Sequence, residues 1–330
     1  MSTTAWNEFD IHEAGRVLGH DFYIHSLLPR QDDWPAALRA GFDAAAHAGA
    51  RRRRGDRHTG KWLQLRLGAW LRGRPVAGDV TPELLRQIDV ERCPVTRERL
   101  THGTQAGSDW SVDRLNNDAA YAASNLAVMS ARANRAKGGL CFEEVHARSL
   151  RTDASGGLQP REWLRLAALM VGPAYATDPH GAPLLPLCAP LPVRALRLAP
   201  QQIQRLFTEH AGRPAGRNRL VREFSAACAG ETAQRRLADL ALAVHEGLRQ
   251  LGEGELPCDV WLQQRPMQAL LRWREALDAR GWALAAAVSG RLSASRRETP
   301  QRLQSWALPS RGYAWGMRGG LALAGEHALR

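Results

Sequence analysis

Trp110-Ser111-Val112-Asp113-Arg114-Leu115-Asn116-Asn117, then Tyr121, Asn125 and Asn134-Arg135-Ala136-Lys137, is the stretch on which the reading of this chain turns. Residues 110–115 alternate like a short strand, with Ser111 and Asp113 on one face and Val112 and Arg114 on the other. Upstream, Gly103 to Ser108 is a polar turn, so residues 94–102 are expected to supply the partner strand of a hairpin. Asn116-Asn117-Asp118 is turn chemistry that ends the second strand. From about Ser130 the pattern becomes helical and sets Asn134 and Lys137 on one face. The expectation is strand, strand, helix, with a carboxylate near a strand end and an amide on the helix opposite.

A carboxylate and an amide oxygen, completed by water and phosphate oxygens, form a hard-oxygen set suited to Mg²⁺ or Mn²⁺. Such an ion stabilises charge on a scissile phosphate and on the leaving oxygen. Arg132, Arg135 and Lys137 on the same helix would add phosphate contacts.

These residues resemble the HNH endonuclease motif, the ββα-metal or His-Me finger fold. The family pattern runs from an Asp-His pair to a loop Asn and then to Asn-x-x-Lys on the helix. Here Asp113-Arg114 falls on the pair, Asn125 on the loop Asn, and Asn134 to Lys137 on the helix signature. Ser-x-Asp-Arg followed by Tyr121, and Cys-x-x-Thr from Cys93 to Thr96, are also similar to sub-patterns of these proteins. The resemblance covers about 50 of 330 residues. It implies that Asp113 and Asn134 bind the metal, that Asn125 braces the loop and that Lys137 faces phosphate. The activity it implies is Mg²⁺- or Mn²⁺-dependent hydrolysis of DNA phosphodiesters, with RNA as a further possible substrate.

Two departures matter. The family's general base is the His after the Asp, and Arg114 stands there; a guanidinium cannot take a proton from water at neutral pH. Arg114 would then stabilise anionic phosphate, another group would be the base, or the site would no longer be catalytic. His102 is the nearest imidazole, and Tyr121 is either a base, a nucleophile-positioning group or an aromatic plug. Second, many members carry a zinc knuckle of two Cys-x-x-Cys pairs. This chain has Thr96 at the second position and Ser130 and Ala133 at the other pair, so no structural zinc is expected and Cys93 reads as a buried thiol.

Outward from the motif, the chain reads as mainly α with this small ββα-metal, HNH-like module embedded in it. Residues 1–90 form an N-terminal helical region, with helices from Ala36, through Trp62 to Trp70, and from an N-cap at Thr81 with Pro82 behind it. The module takes 91–150. Residues 151–195 hold a linker helix, Arg161 to Met170, and a Pro-rich connector from Pro173 to Pro192. Residues 196–330 are a C-terminal helical, Arg- and Trp-rich region, in which Leu237, Leu240 and Val244 line one helix face.

With 45 Lys plus Arg against 33 acids the formal charge is +12, and only Lys61 and Lys137 among those cations are lysines. Arginine's donor fork suits bidentate phosphate contact, so nucleic acid is the partner to suspect, DNA first. Residues 1–90, 91–140 and 141–330 carry +2, +2 and +8, which moves the expected grip into residues 280–318. There seven arginines, Arg296 and Arg297 among them, alternate with Trp282, Trp306, Tyr313 and Trp315. Arg51 to Arg54 is either a solvated loop or a phosphate contact. Five scattered cysteines without a Cys-x-x-Cys pair, no apolar run long enough to span a bilayer and no signal-like start lead to a cytoplasmic expectation. Beside the nuclease stand two other readings: a non-catalytic nucleic-acid-binding protein with a degenerate HNH fold, and a helical interaction module.

Overall fold

The computed structural model describes residues 8–29, 34–117, 120–171, 183–187, 199–253 and 255–293. Arg296, Arg297, Trp306, Tyr313 and Trp315, and most of the Pro-rich connector, lie outside them. Among the described residues the chain is mainly helical, with one antiparallel two-strand hairpin followed by a helix. Four helices come first: α1 Glu8–Ile24, α2 Ala36–His47, α3 Arg57–Leu71 and α4 Pro82–Ile88. The hairpin is β1 Trp110–Arg114 and β2 Leu126–Ser130, running into α5 Ala131–Lys137. Then come α6 Phe142–Ser149, α7 Pro160–Met170, α8 Ala199–His210, α9 Pro214–Phe224, α10 Glu231–Arg249, α11 Gln264–Glu275 and α12 Ala279–Ser293. No described helix is long and apolar enough to cross a membrane.

Local chemistry sets these boundaries. Asp56 caps α3 by accepting the Thr59 N–H at 2.8 Å, and its carboxyl is held well below the usual range by that bond and by Arg86. Thr81 caps α4 by accepting Leu84 N–H at 3.1 Å, with Pro82 at the first helical position. Ser130 caps α5 by accepting Ala133 N–H at 3.3 Å, and Gly138, at φ 48°, turns the chain out of that helix. Between α1 and α2 the backbones approach so closely that a Cβ on Gly19 or Gly41 would collide with the partner helix's carbonyl oxygens.

The hairpin differs from expectation. The partner of 110–114 is 126–130, in the register Trp110↔Ser130, Val112↔Val128 and Arg114↔Leu126. Residues 94–102 do not form a strand. Cys93 and Glu98 close a tight loop instead, with Cys93 N–H on Glu98 O and Arg97 N–H on Cys93 O, both at 2.9 Å, and Arg97 at φ 65°. Of the expected pairing there remain the isolated bridge Thr101↔Asp109 and the bond from Trp110 N–H to Thr101 O at 2.9 Å; a second bridge, Arg92↔Arg99, lies within the loop. Pro94 has no N–H to give a ladder, whereas every residue of 126–130 is buried and has both faces to pack.

Three groups of buried apolar side chains carry the fold. Leu18, Phe22, Leu38, Leu63 and Leu67 close α1, α2 and α3 on one another. A larger core joins α3 and α4 (Leu65, Ala69, Leu84, Leu85, Ile88) to both strands, α5, α6 and α7 (Val128, Met129, Ala133, Val145, Trp163, Leu166). The expected division at residue 90 therefore does not separate two cores. The third core, around Phe207, Phe224, Leu240, Trp261, Trp273 and Trp282, belongs to α8–α12. Trp282, considered above as a stacking platform for bases, is 3% exposed and anchors this core.

One buried ion cluster ties the second core to the third. Asp259 accepts from Arg97 Nη2 at 3.1 Å and from Arg165 Nη2 at 3.0 Å through the same oxygen, and its other oxygen takes Leu256 N–H at 3.0 Å. Arg165 also donates to Val95 O at 3.2 Å. Burial alone pushes the Asp259 carboxyl up, but Arg97, the Leu256 N–H and Arg165 outweigh it and hold it below its usual range.

Candidate functional site

Alternation along β1 puts Ser111 and Asp113 toward α5 and sends Trp110, Val112 and Arg114 to the other side. Two rungs join strand to helix. Asn134 Nδ2 donates to Ser111 Oγ at 2.7 Å, and Lys137 Nζ lies 2.9 Å from Asp113 Oδ2. Lys137 is fully buried, while the Asp113 side chain is 12% exposed. The same ammonium donates to Asn117 Oδ1 at 3.0 Å. Burial pushes the Asp113 carboxyl above its usual range in spite of the opposing pull of Lys137. Lys137, expected to face phosphate, is thus enclosed and charge-paired; it does not reach the surface.

The loop between the strands is held by Asn125, which has no exposed surface. Its Nδ2 donates to Asn116 O and Ala120 O, each at 2.9 Å, and its Oδ1 accepts Asn116 N–H at 2.8 Å. Tyr121 is buried in the same loop, where Tyr121 N–H meets Pro75 O at 3.1 Å and Ala77 N–H meets Tyr121 O at 2.8 Å. Arg114 lays its guanidinium over the Tyr121 ring, 4.7 Å from the centroid. Arg72, at the end of α3, donates to the Tyr121 hydroxyl at 2.9 Å. Tyr121 is therefore a plug that carries two arginines.

His102 is not near Asp113. It packs edge-on against Trp110, with ring centroids 5.2 Å apart, and its Nε2 lies 3.4 Å from Arg57 Nη1. Trp110 and Asp113 are three residues apart on opposite faces of β1, which separates them by about 10 Å along the strand. His102 cannot serve as base for water at Asp113, and burial followed by Arg57 lowers its pKa. A second imidazole, His58, meets Trp110 from another side at 5.7 Å and bonds Asp89 at 3.1 Å through Nε2. Both histidines thus gather at the start of β1, away from the carboxylate near its end.

The other proposed phosphate contacts diverge. Arg132 turns from α5 to Glu162, at 2.8 Å, and to Gly157 O, at 2.9 Å. Arg135 is exposed on α5. Arg51 to Arg54 are exposed too, Arg52 over the Tyr23 ring at 5.1 Å and Arg53 3.2 Å from His25 Nε2.

The four positions compared above with a zinc knuckle, Cys93, Thr96, Ser130 and Ala133, do come together. Cys93 Sγ accepts Thr96 N–H at 3.4 Å and Ser130 N–H at 3.2 Å, and the Thr96 and Ser130 hydroxyls lie 3.4 Å apart. Cys93, Ser130 and Ala133 are all buried. One thiol, two hydroxyls and a methyl are no zinc set, and hydrogen bonds join these residues.

Nor do the residues at Asp113 fit Mg²⁺ or Mn²⁺. The carboxylate that β1 turns toward α5 is already neutralised by a buried ammonium, which a dication would have to displace or sit beside. The next residue along the strand, Arg114, adds a guanidinium beside it.

Sequence reading missed Arg72 and Arg74. The signal available was Arg-Gly-Arg-Pro, directly after the aromatic end of a predicted helix. No protein-family model, curated protein or solved structure matches the chain.

Proposed function

We propose that this chain is a nucleic-acid-binding protein whose HNH-like ββα unit serves as a frame and does not hydrolyse phosphodiesters at Asp113. The observation that carries this reading is the Asp113–Lys137 pair: the charge that would recruit a metal is cancelled inside the protein. The replacement of the base by Arg114, turned onto Tyr121, supports it, because a guanidinium binds phosphate but accepts no proton. So does the net charge of +12, carried almost wholly by arginine, with Arg51 to Arg54 and Arg135 exposed.

Fluorescence anisotropy of a labelled duplex in EDTA tests it. Binding should occur without metal and weaken steeply with salt, each phosphate contact adding about 0.9 to the log–log slope. Plasmid incubated with Mg²⁺ or Mn²⁺ should stay intact with wild type and with Asp113→Ala alike. Metal-dependent nicking that Asp113→Ala abolishes would overturn the reading in favour of a nuclease. Failure to bind DNA or RNA at low salt would favour a helical interaction protein.

A further inference from the structure

Between α1, the end of α3 and residues 73–76 lies a half-open pocket, about 520 Å³ when the open solvent at its mouth is counted in. Ile11, Ala14, Leu18, Trp70 and Val76 line it with apolar surface, and Arg66 and Arg74 add two cations. The two are not equivalent. Arg66 is ion-paired with Asp21 and stacked on Trp62 at 4.3 Å, so its charge is already answered. Arg74 is exposed and has no carboxylate partner among the described residues. The wall is fixed: Trp70 Nε1 donates to Ile11 O at 2.7 Å and its ring packs on Gly15.

The pocket adjoins the ββα unit through Val76, which bridges to Tyr121. A row of cations, Arg74, Arg72 and Arg114, therefore runs from the pocket mouth to the Tyr121 loop. An aromatic and aliphatic wall beside a guanidinium with no carboxylate partner among the described residues matches a flat apolar ring joined to an anion. A nucleobase with its phosphate has that chemistry, and stacking on an aromatic side chain takes any base.

We infer that this pocket receives one unstacked nucleobase of a single-stranded segment, with Arg74 and Arg72 on the flanking phosphates. The assignment rests on the nucleic-acid reading above and adds a preference for single strands. Filling the pocket with Ala14→Phe, which leaves all charges in place, should weaken single-strand binding about 5- to 100-fold. Duplex binding should not change. Arg74→Glu should weaken single-strand binding as well, and being an exposed substitution it leaves the fold intact. An oligonucleotide carrying 2-aminopurine should be quenched by wild type and not by Ala14→Phe.

Equal single-strand affinity of wild type and both variants, or no quenching by wild type, would overturn the pocket even while duplex binding persists. A third arm uses dAMP alone. Protection of Trp70 from oxidation by dAMP in wild type, lost in Arg74→Glu, supports the pocket even where duplex binding fails. Loss of both duplex binding and dAMP protection in wild type overturns the two readings together.

Discussion

Replacing Lys137 by methionine removes the counter-charge of Asp113 while keeping a long apolar stem in a fully buried position. The consequence can be worked out from the titration of Asp113. An unpaired carboxylate in that site will take a proton rather than remain charged, which sets a ceiling on the cost. Moving a group with an ordinary pKa of 3.8 to the neutral form at pH 7 costs about 1.4 kcal/mol per unit, or about 4 kcal/mol. That agrees with the roughly 3–5 kcal/mol found when one partner of a buried pair is removed. The sign follows from linkage. The native state of the variant binds the proton more tightly than the unfolded chain, so its stability falls as pH rises above the unfolded pKa. The deficit against wild type should therefore be at most about 4 kcal/mol at pH 7 and at most about 1.5–2 kcal/mol at pH 5, reduced by what wild type itself loses through its own raised carboxyl, and it should nearly vanish close to pH 4. Urea denaturation at the three pH values measures it. The double variant Asp113→Leu/Lys137→Met, with both charges gone, should recover most of the loss. A variant as stable as wild type at pH 7, or a deficit that does not change with pH, would refute the reasoning.

Asp259→Ala should cost about 3–5 kcal/mol, read from denaturant midpoints, because it leaves the buried guanidiniums of Arg97 and Arg165 uncompensated. Since the Asp259 carboxyl is held below its usual range, its contribution is present above the unfolded pKa and is lost as pH falls through the folded one; acid titration of wild type should show that loss and the variant should not. Asn125→Ala removes three hydrogen bonds and should cost about 2–4 kcal/mol, with faster amide exchange at Asn116 as the local signature. Cys93→Ala strands the buried Ser130 N–H and the half-buried Thr96 N–H and should cost about 1–3 kcal/mol by thermal denaturation, whereas EDTA should leave the wild-type Tm unchanged.

Features set by a few adjacent residues were legible in the sequence. The cap at Thr81 with Pro82, the helix beginning at Ser130 and the strand at 110–114 each follow from local chemistry. The partner strand was not legible, because Leu126-Ala-Val-Met-Ser is buried on both faces and shows no alternation, while 94–102 offers more polar contrast but is closed into a loop by Cys93. Helix α1 was hidden by Gly15 and Gly19, which dilute the helical pattern and which only the approach of α2 explains. At the site, the positions of Asp113 and Asn134 on facing elements could be anticipated, but the partnerships could not. Asp113 and Lys137 read as two separate ligands, and only the packing of β1 on α5 makes them one neutral pair. His102 looked near Asp113 only while 94–102 was taken as the neighbouring strand.

The knot of Arg97, Arg165 and Asp259 bears on whether this chain can be taken apart. A ββα unit that closed on itself could be cut out without leaving charges behind. Here the loop after Cys93 and helix α7 both place guanidiniums that find their shared carboxylate 162 and 94 residues further along. Excising the unit, or exchanging the C-terminal helices for others, would leave two charges inside with no answer. The three segments are thereby tied energetically into one piece: losing any one of the three side chains alone leaves a buried charge without its partner.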